Sequence, residues 1–133
     1  MPKGERVSEM DFSEVCNVGV RPGDPEDHGR SEIGVSSKGR PVGAIEVGGA
    51  VRDVTLMFGG GTVYEVELTT LLPGDTFQGV PLTGSPDTFV EKLRSKGYAV
   101  EFDFDNIEIS SPPIGFFVVE EQVSSICWRM PRG

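Results

Sequence analysis

The sequence predicts a single α+β domain. We expect a twisted, mostly antiparallel sheet of about six or more strands, able to curl into a half-barrel, with one main helix near residues 86–96. Several segments alternate apolar and polar residues, as half-buried strands do, and one segment has helical spacing between capping residues. The 18 glycines and 10 prolines among 133 residues favour turns over long helices, and this length suits one domain.

The N-terminal part of the chain has the weakest pattern. Residues 1–15 are polar and irregular, so we expect a loosely ordered lead-in before a domain that spans residues 16–133. Glycine and proline interrupt residues 18–43 repeatedly, which leaves room only for short strands, at 33–36 and 42–47.

A hairpin is predicted from two alternating segments, residues 51–58 and 62–68, which flank three consecutive glycines. One parity is mainly apolar and is predicted to face the core: Arg52, Val54, Leu56, Phe58, Tyr64, Val66 and Leu68. The other parity carries Asp53, Glu65 and Glu67, so carboxylates are expected on the outward face of this hairpin.

The predicted helix has a start signal, an apolar stripe and a stop signal. Ser85 suits the N-cap position and Pro86 the first helical position. The apolar stripe consists of Phe89, Val90 and Leu93, and Gly97 ends the helix. Such a short helix is not stable alone in water, so it must pack on the sheet.

A second hairpin is predicted over residues 98–110, with Asp105 and Asn106 as its turn and Phe104 facing Ile107 on the apolar side. Residues 114–119 form an almost fully apolar run, which indicates a strand buried on both faces or one in contact with a partner. Glu120 and Glu121 turn the chain into a last strand, residues 122–130, where Trp128 is expected in the core.

Charge narrows the classes of function. The net charge is −9, and residues 97–128 include six acidic residues but no lysine or arginine. This argues against binding to nucleic acid or to an anionic membrane, which need clustered basic residues, and favours a basic protein partner. The sequence has no membrane-length apolar segment and no signal-peptide pattern, so we expect a cytoplasmic protein.

The sequence contains no clear catalytic, metal-binding or phosphate-binding motif. We therefore predict no cofactor and no metal, and an enzyme is the less favoured interpretation. The single histidine, His28, lies in an acidic loop that is typical of a solvated turn rather than a metal site. Cys16 and Cys127 are far apart in sequence and are expected to be free thiols. Residues 103–106 begin like a calcium-binding loop, but the glycine and glutamate that should follow are missing.

Two functional hypotheses follow, and a third stays open. The first is a small acidic non-enzymatic protein that docks onto a basic partner, as an immunity or inhibitor protein does, through outward carboxylates. Its predicted binding residues are Glu65, Glu67, Glu101, Asp103, Asp105 and Glu108. The alternative is a small-ligand binder or enzyme with an apolar pocket lined by the sheet aromatics Phe102, Phe104, Phe116 and Trp128. Self-association through residues 114–119 is the third.

Overall fold

The computed structural model describes residues 10–36, 39–110 and 112–130. Within them the chain forms ten strands and two helices. The elements are β1 (Asp11–Phe12), α1 (Glu26–Glu32), β2 (Val42–Val47), β3 (Ala50–Gly59), β4 (Thr62–Leu68), β5 (Thr76–Phe77), β6 (Val80–Pro81), α2 (Pro86–Ser95), β7 (Val100–Asp103), β8 (Asn106–Ser110), β9 (Pro113–Val119) and β10 (Gln122–Arg129).

Seven strands form one antiparallel sheet in the order β2-β3-β4-β10-β9-β8-β7. The two outer strands, β2 and β7, do not pair with each other, so the sheet is open rather than a closed barrel. The remaining strands make a small sheet, β1-β5-β6, in which β1 runs parallel to β5. The predicted α+β class with a mostly antiparallel sheet is therefore confirmed.

The core lies on one face of the large sheet, against the helices and the small sheet. On β9, the ring of Phe116 lies 4.9 Å from Phe89 of α2 and 5.2 Å from Phe77 of β5. On β10, Trp128 lies 5.8 Å from Phe12 of β1, and its indole nitrogen donates a hydrogen bond of 2.9 Å to the Ser13 carbonyl. Trp128 is 2% exposed, which confirms its predicted place in the core.

The main helix forms where the capping residues predict it. Ser85 occupies the N-cap position, although its side chain makes no capping hydrogen bond, and Pro86 begins α2. The predicted stripe of Phe89, Val90 and Leu93 is buried against the sheet. Just beyond the C-cap, Gly97 has a φ of +100°, a conformation that glycine adopts without steric cost.

Helix α1 is not predicted by the sequence pattern, because Gly29 resembles a helix breaker. In the structure Gly29 is buried, and a Cβ added there would lie 2.8 Å from Val63 and 3.0 Å from Leu56. This glycine lets the helix backbone approach the sheet closely. The ion pair between Arg30 and Glu26, 2.9 Å apart, supports the same turn.

Two strand predictions in this half of the chain are wrong. Residues 33–36 form a turn and irregular chain after α1, since Ile33 serves as the helix C-cap. In β4, Tyr64 is an extra residue in the pairing with β3, where the register shifts between Met57 and Phe58. The shift turns Tyr64 outward and buries Val63, so Tyr64 does not face the core as predicted.

The turn of the second hairpin also lies one residue earlier than predicted. Asp103 pairs with Asn106, which makes Phe104 and Asp105 the two turn residues, and Phe102 rather than Phe104 faces Ile107. Phe104 has a φ of +59° and is 95% exposed. The predicted inward Phe104–Ile107 pair is therefore wrong.

The N-terminal lead-in and the loop before β5 are tied to the large sheet. Residues 1–9 of the predicted lead-in lie outside the described residues, whereas Asp11–Phe12 forms β1 and buries Phe12. Arg52 of β3 and Asp75 are fully buried and form a two-pronged ion pair, one arm of which measures 2.9 Å. The Arg52 guanidinium also lies 5.5 Å from the ring of Phe12.

Candidate functional site

The outward face of the large sheet holds most of the predicted binding residues. Antiparallel register places one residue from each of six neighbouring strands in a single row: Thr55, Glu67, Cys127, Gly115, Glu108 and Glu101. Three of these are predicted site carboxylates, and Glu101 lies directly opposite Glu108. Like charges in directly opposed positions are destabilising, so Glu101 and Glu108 repel each other across β7 and β8.

Arg129 neutralises part of this face. Its Nε donates to Oε1 of Glu65 at 3.0 Å, and its Nη1 donates to Oε1 of Glu108 at 2.7 Å. The side chain therefore reaches from β10 across β9 to β8. Gly115 of β9 makes the path possible, because a Cβ there would lie only 3.1 Å from both terminal nitrogens of Arg129.

Sequence reasoning missed the role of Arg129, although a signal was present. Arg129 directly follows Trp128 in the last predicted strand, so the two side chains lie on opposite faces of the sheet. Because Trp128 faces the core, Arg129 lies on the outward face with the carboxylates. Arg129 of β10 pairs with Glu65 of β4, and these two strands are far apart in sequence. No local pattern determines that pairing.

Glu67 and Cys127 lie in the middle of the outward face. Oε2 of Glu67 accepts a hydrogen bond of 3.2 Å from the Ser125 hydroxyl. Cys127 is fully buried beneath its neighbours, and burial raises the pKa of its thiol, with a further increase from the charge of Glu65. The thiol therefore stays protonated near neutral pH.

Cys16, the second cysteine, is also a free and buried thiol. Burial raises its pKa to about 12, and its thiol donates to the Val20 carbonyl at 3.1 Å. Because the thiolate is the nucleophilic form, neither cysteine is arranged for nucleophilic catalysis at neutral pH.

The remaining predicted residues lie toward the β7 edge of the sheet. Glu101 and Asp103 project from β7, which has no neighbour on its outer side, and Asp105 follows in the turn to β8. All three are exposed, and none takes part in an ion pair among the described residues. The structure thus separates the six predicted residues into an engaged group (Glu65, Glu67 and Glu108) and a free group (Glu101, Asp103 and Asp105).

The four aromatic residues of the alternative hypothesis do not line a common cavity. Phe116 and Trp128 are buried beneath the small sheet and α2, whereas Phe104 is in an exposed turn. The small sheet depends on the pairing of β1 with β5, which sequence periodicity does not reveal.

Two open cavities instead border the large sheet at the end where β10 terminates, and Arg129 lines both of them. The larger has a volume of about 1030 Å³ and lies between α2 and the ends of β7 to β10. Its charged and aromatic lining consists of Arg94, Tyr98, Glu101, Glu108 and Arg129. The smaller, of about 420 Å³, includes Cys16, Arg21 and Trp128. The larger cavity therefore combines apolar lining with side-chain charges of both signs.

The acidic loop with the single histidine forms the start of α1. His28 lies 3.7 Å from Asp24, and its side chain is 45% exposed. In the described ranges, no group of three or more histidine, cysteine, aspartate or glutamate residues is placed to hold a metal ion. The helices described there are also too short or too polar to cross a membrane.

Comparisons with known proteins give no match, since no family model, no curated protein and no solved structure matches the chain.

Proposed function

We propose that this protein is a small acidic non-enzymatic binding protein, which docks onto a basic protein partner as an immunity or inhibitor protein does. The observation that carries the proposal is the free group of carboxylates along the β7 edge. Glu101, Asp103 and Asp105 are exposed and lack an ion-pair partner among the described residues. Complementary charge accelerates association and selects against wrong partners.

The distribution of charge supports a docking surface at this edge rather than over the whole outward face. Arg129 already pairs with Glu65 and Glu108, so those carboxylates would gain less from a cationic partner. The free group has no such internal partner. A lysine or arginine of a partner would therefore interact most favourably near β7, where it also relieves the repulsion between neighbouring carboxylates.

A cytoplasmic location is part of the proposal. Both cysteines are free, which suits a reducing compartment. Burial raises the pKa of both thiols, and a protonated thiol is a weak nucleophile, which supports a binding role over nucleophilic catalysis.

Affinity capture with charge variants tests the proposal. Wild-type protein is immobilised and exposed to lysate of the source organism at about 50 mM and 500 mM salt, on either side of strong screening. The face variant E101K/D103K/D105K is compared with the control variant D27K/E32K/E91K, whose three acids are exposed on α1 and α2. Three changes of two charge units each bring both variants from −9 to −3.

The expected result is a basic protein that wild type and the control retain at low salt and release at high salt, and that the face variant does not retain. Equal retention by the face variant and wild type would contradict the proposal, because general charge would then explain binding. Failure of wild type to retain any basic protein would also contradict it.

The ligand-binding alternative has less support. Its proposed aromatic pocket is filled by the packing of Phe116 and Trp128. A small ligand would have to occupy an open cavity instead, such as the one of about 1030 Å³ between α2 and the ends of β7 to β10.

A further inference from the structure

Two hairpin turns lie side by side at one end of the large sheet. Phe104 and Asp105 join β7 to β8, and Glu120 and Glu121 join β9 to β10. The Val118 amide donates a hydrogen bond of 2.8 Å to the Asp105 carbonyl, which holds the two turns together. We call Asp103, Phe104, Asp105, Glu120 and Glu121 the tip. Arg129 is the final residue of β10, so it lies at the opposite end of that strand.

Phe104 is the most exposed of the large apolar side chains in the described part of the chain, at 95%. The ring makes none of the aromatic contacts found for the core phenylalanines. A phenylalanine in this position contributes almost nothing to the core. Aromatic residues, phenylalanine included, are by contrast enriched in protein interfaces.

The backbone of the tip is in a conformation that favours glycine. Phe104, Glu120 and Glu121 have φ values of +59°, +51° and +63°. Elsewhere the same chain builds two-residue hairpin turns from glycine pairs, at 48–49 and 60–61, with φ values between +62° and +82°. Glycine is the low-energy choice for such turns, yet the tip holds bulky or charged side chains.

Charge defines what the tip can bind. Asp103 and Asp105 flank Phe104 in sequence, and Glu120 and Glu121 form the neighbouring turn. All four are exposed and take part in no ion pair among the described residues. Between β7 and β10 the chain has no lysine, histidine or arginine except Arg129, which pairs with Glu65 and Glu108. An exposed ring with carboxylates on both sides is complementary to arginine, whose guanidinium pairs with carboxylates and stacks on aromatic rings.

We propose that the tip anchors the protein in an arginine-rich cleft of its basic partner. The Phe104 ring stacks on an arginine side chain within that cleft, and the carboxylates of the tip pair with arginines at its rim. The inference rests on the proposed function and deepens it, because it names the residue that dominates affinity and the chemistry of the cleft. It also adds Glu120 and Glu121, which the sequence did not identify as binding residues, to the interface.

Binding measurements on the captured partner test the anchor. Phe104→Asn removes the ring and keeps a residue that tolerates positive φ. Val51→Asn is the matched control, since Val51 is an apolar residue on β3, 67% exposed and outside the tip. We expect Phe104→Asn to weaken the equilibrium affinity about 30-fold or more, as loss of a hot-spot residue does, and Val51→Asn to change it less than about threefold.

A photo-crosslinking residue adds a positional readout. p-Benzoylphenylalanine replaces Phe104 in one variant and Val51 in another, and the crosslinked partner peptide is identified by mass spectrometry. The expected crosslink forms from position 104 only, to a partner segment flanked by arginine. A crosslink of equal yield from position 51, or one to an acidic segment, would overturn the inference.

The outcomes separate the anchor from the proposed function. If Phe104→Asn binds within about threefold of wild type while E101K/D103K/D105K does not bind, the anchor is wrong and the docking function stands. If wild type captures no basic protein, the proposed function fails and the anchor fails with it. A thermal melt shows whether each variant is folded, so that loss of binding is not confused with loss of structure.

Discussion

Phe104→Gly should stabilise the free protein, because Phe104 occupies a strained backbone position without a compensating contact. A side chain with a Cβ costs about 1–2 kcal/mol in the left-handed region, and Phe104 has a φ of +59°. Glycine removes that cost but loses about 0.5–1 kcal/mol more conformational entropy on folding. Since the side chain is 95% exposed, little burial is lost. The net expectation is an increase of about 0.5–1 kcal/mol in the free energy of unfolding.

Urea denaturation followed by fluorescence measures this change, with Trp128 as a buried single tryptophan probe. Gly60→Phe is the matched control, because Gly60 is likewise the first residue of a two-residue turn, has a φ of +62° and has open space around its Cβ. By the same balance of steric cost and chain entropy, this variant should lose about 0.5–1 kcal/mol in the free energy of unfolding. A Phe104→Gly variant that is less stable than wild type by more than about 1 kcal/mol would refute the reasoning, since the ring would then contribute to packing.

Three further predictions concern the core and the outward face. Asp75→Asn leaves the buried Arg52 charge uncompensated, so the free energy of unfolding should fall by about 3–5 kcal/mol; a loss below about 1 kcal/mol in urea denaturation would contradict the buried pair. Arg129→Gln removes two partly exposed, charge-assisted hydrogen bonds, so the free energy of unfolding should fall by about 1.5–3 kcal/mol in the same assay. A variant as stable as wild type would contradict the pairing of Arg129 with Glu65 and Glu108. Burial raises the pKa of Cys16 from 9.0 to about 12, so the stabilisation that comes from keeping this thiol protonated is complete below pH 9 and is lost as pH rises toward 12. Between these pH values the free energy of unfolding should fall by about 1.4 kcal/mol per pH unit because of this thiol, and it should fall less steeply in Cys16→Ala.

Much of the large sheet follows from alternation alone. The hairpin of β3 and β4, the strands β7 to β10 and the helix α2 all lie within a few residues of their predicted positions. Alternation works here because one face of the sheet is buried and the other is open, which fixes the parity of each strand.

The errors share a physical cause, which is that a distant contact overrides a local preference. Gly29 looks like a breaker but allows α1 to approach Val63 and Leu56. Asp105 and Asn106 are good turn residues, yet the pairing of Asp103 with Asn106 places Phe104 in the turn at positive φ. No periodic pattern signals either contact, since both depend on how strands and helices meet in space.

The candidate site was predictable in part for the same reason. Parity predicts Glu65, Glu67, Glu101 and Glu108 on one face, and the sheet register places Glu67, Glu108 and Glu101 in one row, with β10 and β9 between β4 and β8. Which carboxylates are free depends on the reach of Arg129 across Gly115, a contact between three strands. The tip also depends on tertiary structure, because the turns at Phe104 and Glu120 become neighbours only when β8 pairs with β9.

The most direct test of the account is parallel capture by wild type, E101K/D103K/D105K and D27K/E32K/E91K from the same lysate at low and high salt. We expect wild type and the helix control to retain the same basic protein at low salt and to release it at high salt, and the face variant not to retain it. Retention of that protein by the face variant at the level of wild type would show that the carboxylates along the β7 edge do not guide docking.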